Sequence, residues 1–185
     1  MNTFKSCASL LVFMEEIIKV PEERIGVMIG PKGAIKKKIS KQTKTIIDID
    51  SDLGEVLIQG EGEDFFKATD IVKAIARGFS PERAFNLLKK DYLLKIIDIV
   101  NYSGKNSSNQ KAKRGRVIGR KGFARIEIEK KTGALISVYG KTVAIIAKPD
   151  DLDAATEAVR MLLGGAKHET MEYFLDNKDK EIFKL

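Results

Sequence analysis

A chain of 185 residues with an apolar fraction of 43% has room for one large domain or two small ones, and is too apolar to be disordered over most of its length. Lys and Arg number 33 against 26 Asp and Glu, and the resulting charge of +7 favours a polyanionic partner, nucleic acid or an acidic membrane surface. A single cysteine, Cys7, and a single histidine, His168, exclude an intrachain disulfide and argue against cysteine- or histidine-built metal sites, so a reducing, cytoplasmic setting is expected.

In chain order, the apolar run from Ala8 to Met14 is interrupted by Ser9 and stops at Glu15 and Glu16. It is too short to cross a membrane and has no signal-cleavage pattern, so residues 1–14 read as an N-terminal arm or short strand. Cys7 lies there with no evident base beside it. EEIIKVP (15–21) alternates like a strand. A short helical piece then leads into Gly30-Pro31-Lys32-Gly33, and a longer helix follows with Ile35 and Ile39 on one face. TIIDID and EVLIQG read as strands joined at SDLG, and Phe65, Ala68, Ile71, Val72 and Ile75 form the apolar stripe of a closing helix. Asp48, Asp50 and Asp52 have calcium-loop spacing, but Leu53 stands where glycine is required and Gln59 where glutamate is, so a metal reading is rejected.

Ser80 suits an N-cap and Pro81 a first helical position, which predicts a packed linker helix over 80–91 with Phe85, Leu87 and Leu88. YLLKIIDIV (92–100) repeats the opening strand, and SGKNSSNQKAKRGR (103–116) reads as the most loop-like stretch. Gly119-Arg120-Lys121-Gly122 opens another helix, with Ala124 and Ile128 on one face. ALISV and TVAIIA flank a YGK turn, and Leu152, Ala155, Ala158, Val159 and Leu162 mark a second closing helix. Residues 166–185 read as a C-terminal helix and tail, where His168 has no second ligand nearby and reads as structural.

The chain repeats itself. Residues 25–47 lie over 114–136 without a gap, with nine of 23 positions identical, including every glycine of both loops. The expected domains are 15–79 and 92–165. A lone Gly-x-x-Gly is a weak signal. Two at matched positions, each after an apolar Ile and before a helix, form a strong one. Glycine lets the backbone approach a phosphate, and the following helix start supplies N–H groups and a positive dipole end. Charge agrees: Arg24–Ile47 holds seven basic residues and no acid, and Lys105–Arg125 holds eight and no acid. The candidate grip is therefore Gly30, Pro31, Lys32, Gly33 and Lys36 in the first copy. In the second it is Lys113, Arg114, Arg116, Gly119, Arg120, Lys121, Gly122 and Arg125. Lys37 and Lys38 read equally well as a solvated helix face. Pro31 lacks an N–H and the second loop carries two cations, so the second site is expected to dominate affinity.

These loops, with the strand-strand-helix ending, resemble the KH family in its type I arrangement. The resemblance implies an α+β fold of two tandem type I KH domains, each a three-stranded antiparallel sheet packed against three helices. In that family the loop clamps about four nucleotides of single-stranded RNA. Three stretches, ARGFSPERAFNLLKKDYLLKIIDI, IEKKTGALISVYGKTVAIIA and AVRMLLGGAKHETMEYFL, are similar to the ribosome-assembly family of Krr-type and partner-of-Nob (Dim-type) proteins, particularly archaeal members. That similarity implies small-subunit (16S) rRNA near its 3′ end as the target, with the 3′-end-processing endonuclease and an initiation-factor subunit as partners. With no acid/base or metal cluster visible among the residues, no catalytic residue, metal, cofactor, small-molecule substrate or membrane is expected. Phe123 departs from the family's small or basic residue after the loop. Two other readings remain: a KH-fold scaffold that mainly docks proteins, and an RNA-binding subunit of a nuclease complex.

Overall fold

In the first half, period-two alternation sends one set of side chains from each strand onto a layer of helices. The structure, a computed structural model, describes residues 13–181. Cys7 and the arm lie outside the described residues, except for Phe13 and Met14, which open the first strand. The first half runs β1 (Phe13–Lys19), α1 (Glu22–Ile29), α2 (Ala34–Thr43), β2 (Ile46–Asp50), β3 (Glu55–Glu61) and α3 (Gly62–Ala76). A turn of α-helix, α4 (Pro81–Ala84), and a 3-10 turn (Phe85–Leu88) follow. The second half runs β4 (Leu93–Asp98), α5 (Val100–Ser103), α6 (Ser107–Ile118), α7 (Phe123–Thr132), β5 (Leu135–Tyr139), β6 (Thr142–Ala147), α8 (Pro149–Gly164) and α9 (His168–Glu181).

Each half forms one antiparallel three-stranded sheet whose last strand lies in the middle, in the orders β1-β3-β2 and β4-β6-β5. This is the type I KH topology the resemblance implies. In the first sheet Ile18 lies opposite Val56, and Ile47 opposite Ile58. That register places all four on the buried side, with Met28 of α1, Ile39 of α2 and Phe65 and Ile71 of α3. The chain divides into two compact units between Val72 and Lys73, inside α3.

The second unit departs from expectation in three ways. First, the loop-like stretch is mostly α6. Its polar start is a cap: Asn106 accepts from the N–H groups of Ser108 and Asn109, and the following Gln, Lys, Ala and Arg favour helix. Second, the linker is no single helix. Ser80 accepts from the Arg83 N–H as predicted, but the α-helix ends at Ala84 and tightens into the 3-10 turn. It packs as expected: Ala84 and Leu87 are buried, and Arg83 pairs with Glu129 of α7. Third, α9 is part of the core. Met171 and Leu175 join Val117, Ile128, Ile145, Val159 and Leu162 in one buried cluster.

The outer sheet faces also differ. In the first unit Phe13, Ile17 and Ile46 stand exposed. In the second, Ala144 and Ile146 are fully buried, and Ser137 donates to the Arg77 carbonyl.

Candidate nucleic-acid interface

The two glycine loops have the same backbone. At Gly30 φ/ψ is 69/175°, at Lys32 51/29° and at Gly33 74/18°; at Gly119, Lys121 and Gly122 the values are 74/174°, 53/26° and 79/9°. The first glycine occupies a region essentially closed to other residues. It also has no room for a side chain. A Cβ on Gly30 would run into Ile35 Cγ1, and one on Gly119 would sit 2.7 Å from the Ala124 nitrogen. That close approach turns the chain directly from α1 into α2, and from α6 into α7. The glycine at the fourth loop position also has positive φ, but a Cβ there would meet nothing within 4 Å at Gly33 and only Ile126 Cδ1, at 3.8 Å, at Gly122.

Internal bonds close each loop: Gly33 donates to the Gly30 carbonyl and Gly122 to that of Gly119. Among the described residues no backbone bond engages the N–H of Arg120 or Lys121. The first loop keeps only that of Lys32, because Pro31 has none. Neither α2 nor α7 has an acidic residue in its first turn. The positive helix end is thus left for an external anion. Pro31, Lys32, Arg120 and Lys121 are exposed. Among the described residues no ion pair holds Lys32, Arg120 or Lys121.

The remaining predicted cations divide. Lys36 joins α2 to β2 through an ion pair with Asp48 at 3.0 Å. The Lys36 hydrogen bond, and then its charge, hold the Asp48 carboxyl below its ordinary value. Arg125, at the matching position of the second unit, is half-buried, and its Nε has no hydrogen-bond partner among the described residues. Three other cations are engaged with protein carbonyls. Arg116 donates to Leu162, Gly165 and Ala166 at 3.2, 2.9 and 2.6 Å, and Lys113 donates to Leu163. Both therefore bind the carbonyls at the C-terminal end of α8 and just past it, where Leu162 also accepts from the Gly165 N–H. Arg114 donates to Gly140 at 3.0 Å. The structure thus leaves the loop cations Lys32, Arg120 and Lys121 open, pairs Lys36 with Asp48, and engages Lys113, Arg114 and Arg116 with protein carbonyls.

Sequence reasoning missed one side of the second loop. A cavity of about 730 Å³ is bounded by Arg120, Lys121, Phe123 and Ile126 and, from α9, by His168, Glu169 and Glu172. His168 Nε2 lies 2.9 Å from the Arg116 carbonyl, which anchors the start of α9. The available signal was Phe123, since the first copy has Ala34 there. Among the described residues no group of three or more His, Cys, Asp or Glu side chains is placed to hold a metal, and no helix is long and apolar enough to cross a membrane.

Two sequence families match the two units: KH domain over residues 15–74, and eukaryotic type KH-domain (KH-domain type I) over residues 93–180. Tandem type I KH folds with intact Gly-x-x-Gly loops define an RNA-binding protein. The KH domain-containing protein MJ0443 of Methanocaldococcus jannaschii is 45% identical over 172 residues, covering 90% of this chain and 75% of that protein. The crystal structure of Dim2p from Pyrococcus horikoshii OT3 is 46% identical with a TM-score of 0.81, over 89% of this chain and 99% of that one. Dim2p in a complex of a/eIF2alpha, aDim2p and rRNA from the same organism is 45% identical with a TM-score of 0.84, over 91% and 96% of the two chains. The chain belongs to the family of tandem KH-domain proteins that includes archaeal Dim2p.

Proposed function

We propose that this chain holds small-subunit (16S) rRNA near its 3′ end during ribosome assembly, with the loop at Gly119–Gly122 as the principal grip. The observation that carries the reading is the second loop: two open backbone donors and two uncommitted cations at a helix start free of acids. The relative crystallised with rRNA supports the RNA class, and its a/eIF2alpha partner supports an initiation-factor subunit as a protein contact. The 3′-end endonuclease is proposed as a second partner and the cytoplasm as the setting. The protein acts here as a binding module, not an enzyme. Lys32 and Lys36 of the first unit, with Arg125 of the second, add phosphate contacts; Arg114 adds one at the edge.

Filter binding to single-stranded RNA over a salt series tests the grip. Affinity falls with salt at a slope of about −0.7 per phosphate neutralised. Arg120→Asp with Lys121→Asp abolishes binding, and Pro31→Asp with Lys32→Asp weakens it less; equal losses refute the asymmetry. Crosslinking in cells, followed by sequencing of bound RNA, tests the target. Reads are expected at the 3′ end of small-subunit rRNA, and reads spread over messenger RNAs refute it while leaving the RNA grip intact.

A further inference from the structure

The cavity between the second loop and α9 has a composition that the phosphate grip does not explain. Its apolar wall is Phe123, 54% exposed, and Ile126, 48% exposed, one helical turn apart on α7. Leaving two large apolar side chains in water beside a charged loop forgoes burial that the core elsewhere achieves. Across from them stand Glu169 and Glu172, three residues apart and so on one face of α9. Among the described residues no ion pair or hydrogen bond ties these carboxylates to Arg120, Lys121 or any other group, although all four charges line the same space.

We propose that this cavity is a binding pocket for one guanine base of the bound strand; the inference rests on the RNA reading above. A single nucleotide matches each wall. Its phosphate suits Arg120 and Lys121, and the flat face of its base stacks on Phe123. Glu169 or Glu172 supplies only acceptors, so it selects an edge made of donors. The Watson–Crick edge of guanine carries the N1–H and the N2 amino group side by side, matching the two oxygens of one carboxylate. Adenine and cytosine place an acceptor beside their amino group, and uracil offers one N–H between two carbonyls. The same carboxylates repel phosphate, so they keep the backbone on the loop and admit only the base. The first unit has no such pocket wall at this position, because Ala34 stands where Phe123 does.

Fluorescence anisotropy with labelled oligouridylates, one internal uridine replaced by guanosine, inosine or adenosine, tests this on the full chain. Inosine lacks only the N2 amino group. The guanosine strand is expected to bind about fivefold tighter than the inosine strand, or more. Glu169→Gln with Glu172→Gln brings that ratio to one while raising affinity for the all-uridine strand through lost repulsion. Phe123→Ala lowers affinity for the guanosine strand about fivefold or more. Circular dichroism confirms that each variant is folded. Equal binding of guanosine and inosine strands by the unaltered protein overturns the pocket, as does a preference that survives the double glutamine variant. In both cases oligouridylate binding leaves the RNA reading standing. Failure of the unaltered protein to bind any of the strands overturns both.

Discussion

Replacing Gly119 with alanine should destabilise the second unit far more than replacing Gly122, although both glycines belong to one loop and both have positive φ. At 74/174° Gly119 lies in a region that costs a side-chain-bearing residue about 1–3 kcal/mol. The new Cβ would also stand 2.7 Å from the Ala124 nitrogen and 2.8 Å from its Cβ. Those atoms begin α7, and Ala124 is buried, so relief requires moving a helix rather than turning a side chain. Overpacking of this kind adds about 1–3 kcal/mol. Gly122 sits at 79/9°, where alanine costs about 1–2 kcal/mol, and its nearest obstacle is Ile126 Cδ1 at 3.8 Å. Alanine returns about 0.4–1 kcal/mol in both cases by restricting the unfolded chain. The unfolded-state return cancels, and the difference is therefore about 1–4 kcal/mol. Gly30→Ala in the first unit meets a comparable obstacle, with Ile35 Cβ at 3.0 Å and the Ile35 nitrogen at 3.1 Å, so a loss close to that of Gly119→Ala is expected there, read by far-ultraviolet circular dichroism. Urea unfolding followed by tyrosine fluorescence reads the effect. All four tyrosines, Tyr92, Tyr102, Tyr139 and Tyr173, lie in the second unit, and there is no tryptophan. With a slope near 2 kcal/mol per molar urea, the Gly119→Ala midpoint should lie about 0.5–2 M below that of Gly122→Ala. Coincident midpoints, or a larger loss at Gly122, would refute the steric account.

Two further outcomes are expected. Arg116→Met keeps an unbranched apolar stem but removes the side-chain donor to the Leu162, Gly165 and Ala166 carbonyls at the end of α8 and just past it, so the same fluorescence midpoint should report a loss of about 1–3 kcal/mol. RNA affinity of the folded variant should fall less than for the Arg120 and Lys121 variants; the reverse pattern would make Arg116 an RNA contact. Lys36→Ala should raise the Asp48 carboxyl toward its ordinary value of 3.8, as read by NMR titration of the side-chain carboxyl carbon. A depressed carboxylate contributes stability above its unfolded value and loses it as the pH drops through the folded one. Any stabilisation by this pair should therefore be complete above about pH 4 and vanish in more acidic solution. An Asp48 titration indifferent to Lys36 would show that the pair does not persist in solution.

Much of the site was legible because its signals are local. Gly30–Gly33 and Gly119–Gly122 encode their own backbone, since positive φ and absent side chains are properties of those residues themselves. The strands showed through alternation, and the duplication supplied an internal check. The segment 103–116 failed for an equally local reason. Ser, Asn and Gly mark both loops and helix caps, and Asn106 proved to be a cap.

Charge and motif thus pointed to the class of ligand and to the two loops proposed to meet it, because both depend on residue type and short spacing. Only the tertiary structure decided which cations remain available. Arg116 lies 46 residues from Leu162, and Glu172 about as far from Arg120 along the chain, so no local pattern reveals that the first is spent on a helix end or that the second faces the loop. Burial of Met171 and Leu175 brings α9 into the second unit, and that packing places acceptors beside a loop whose sequence speaks only of phosphate.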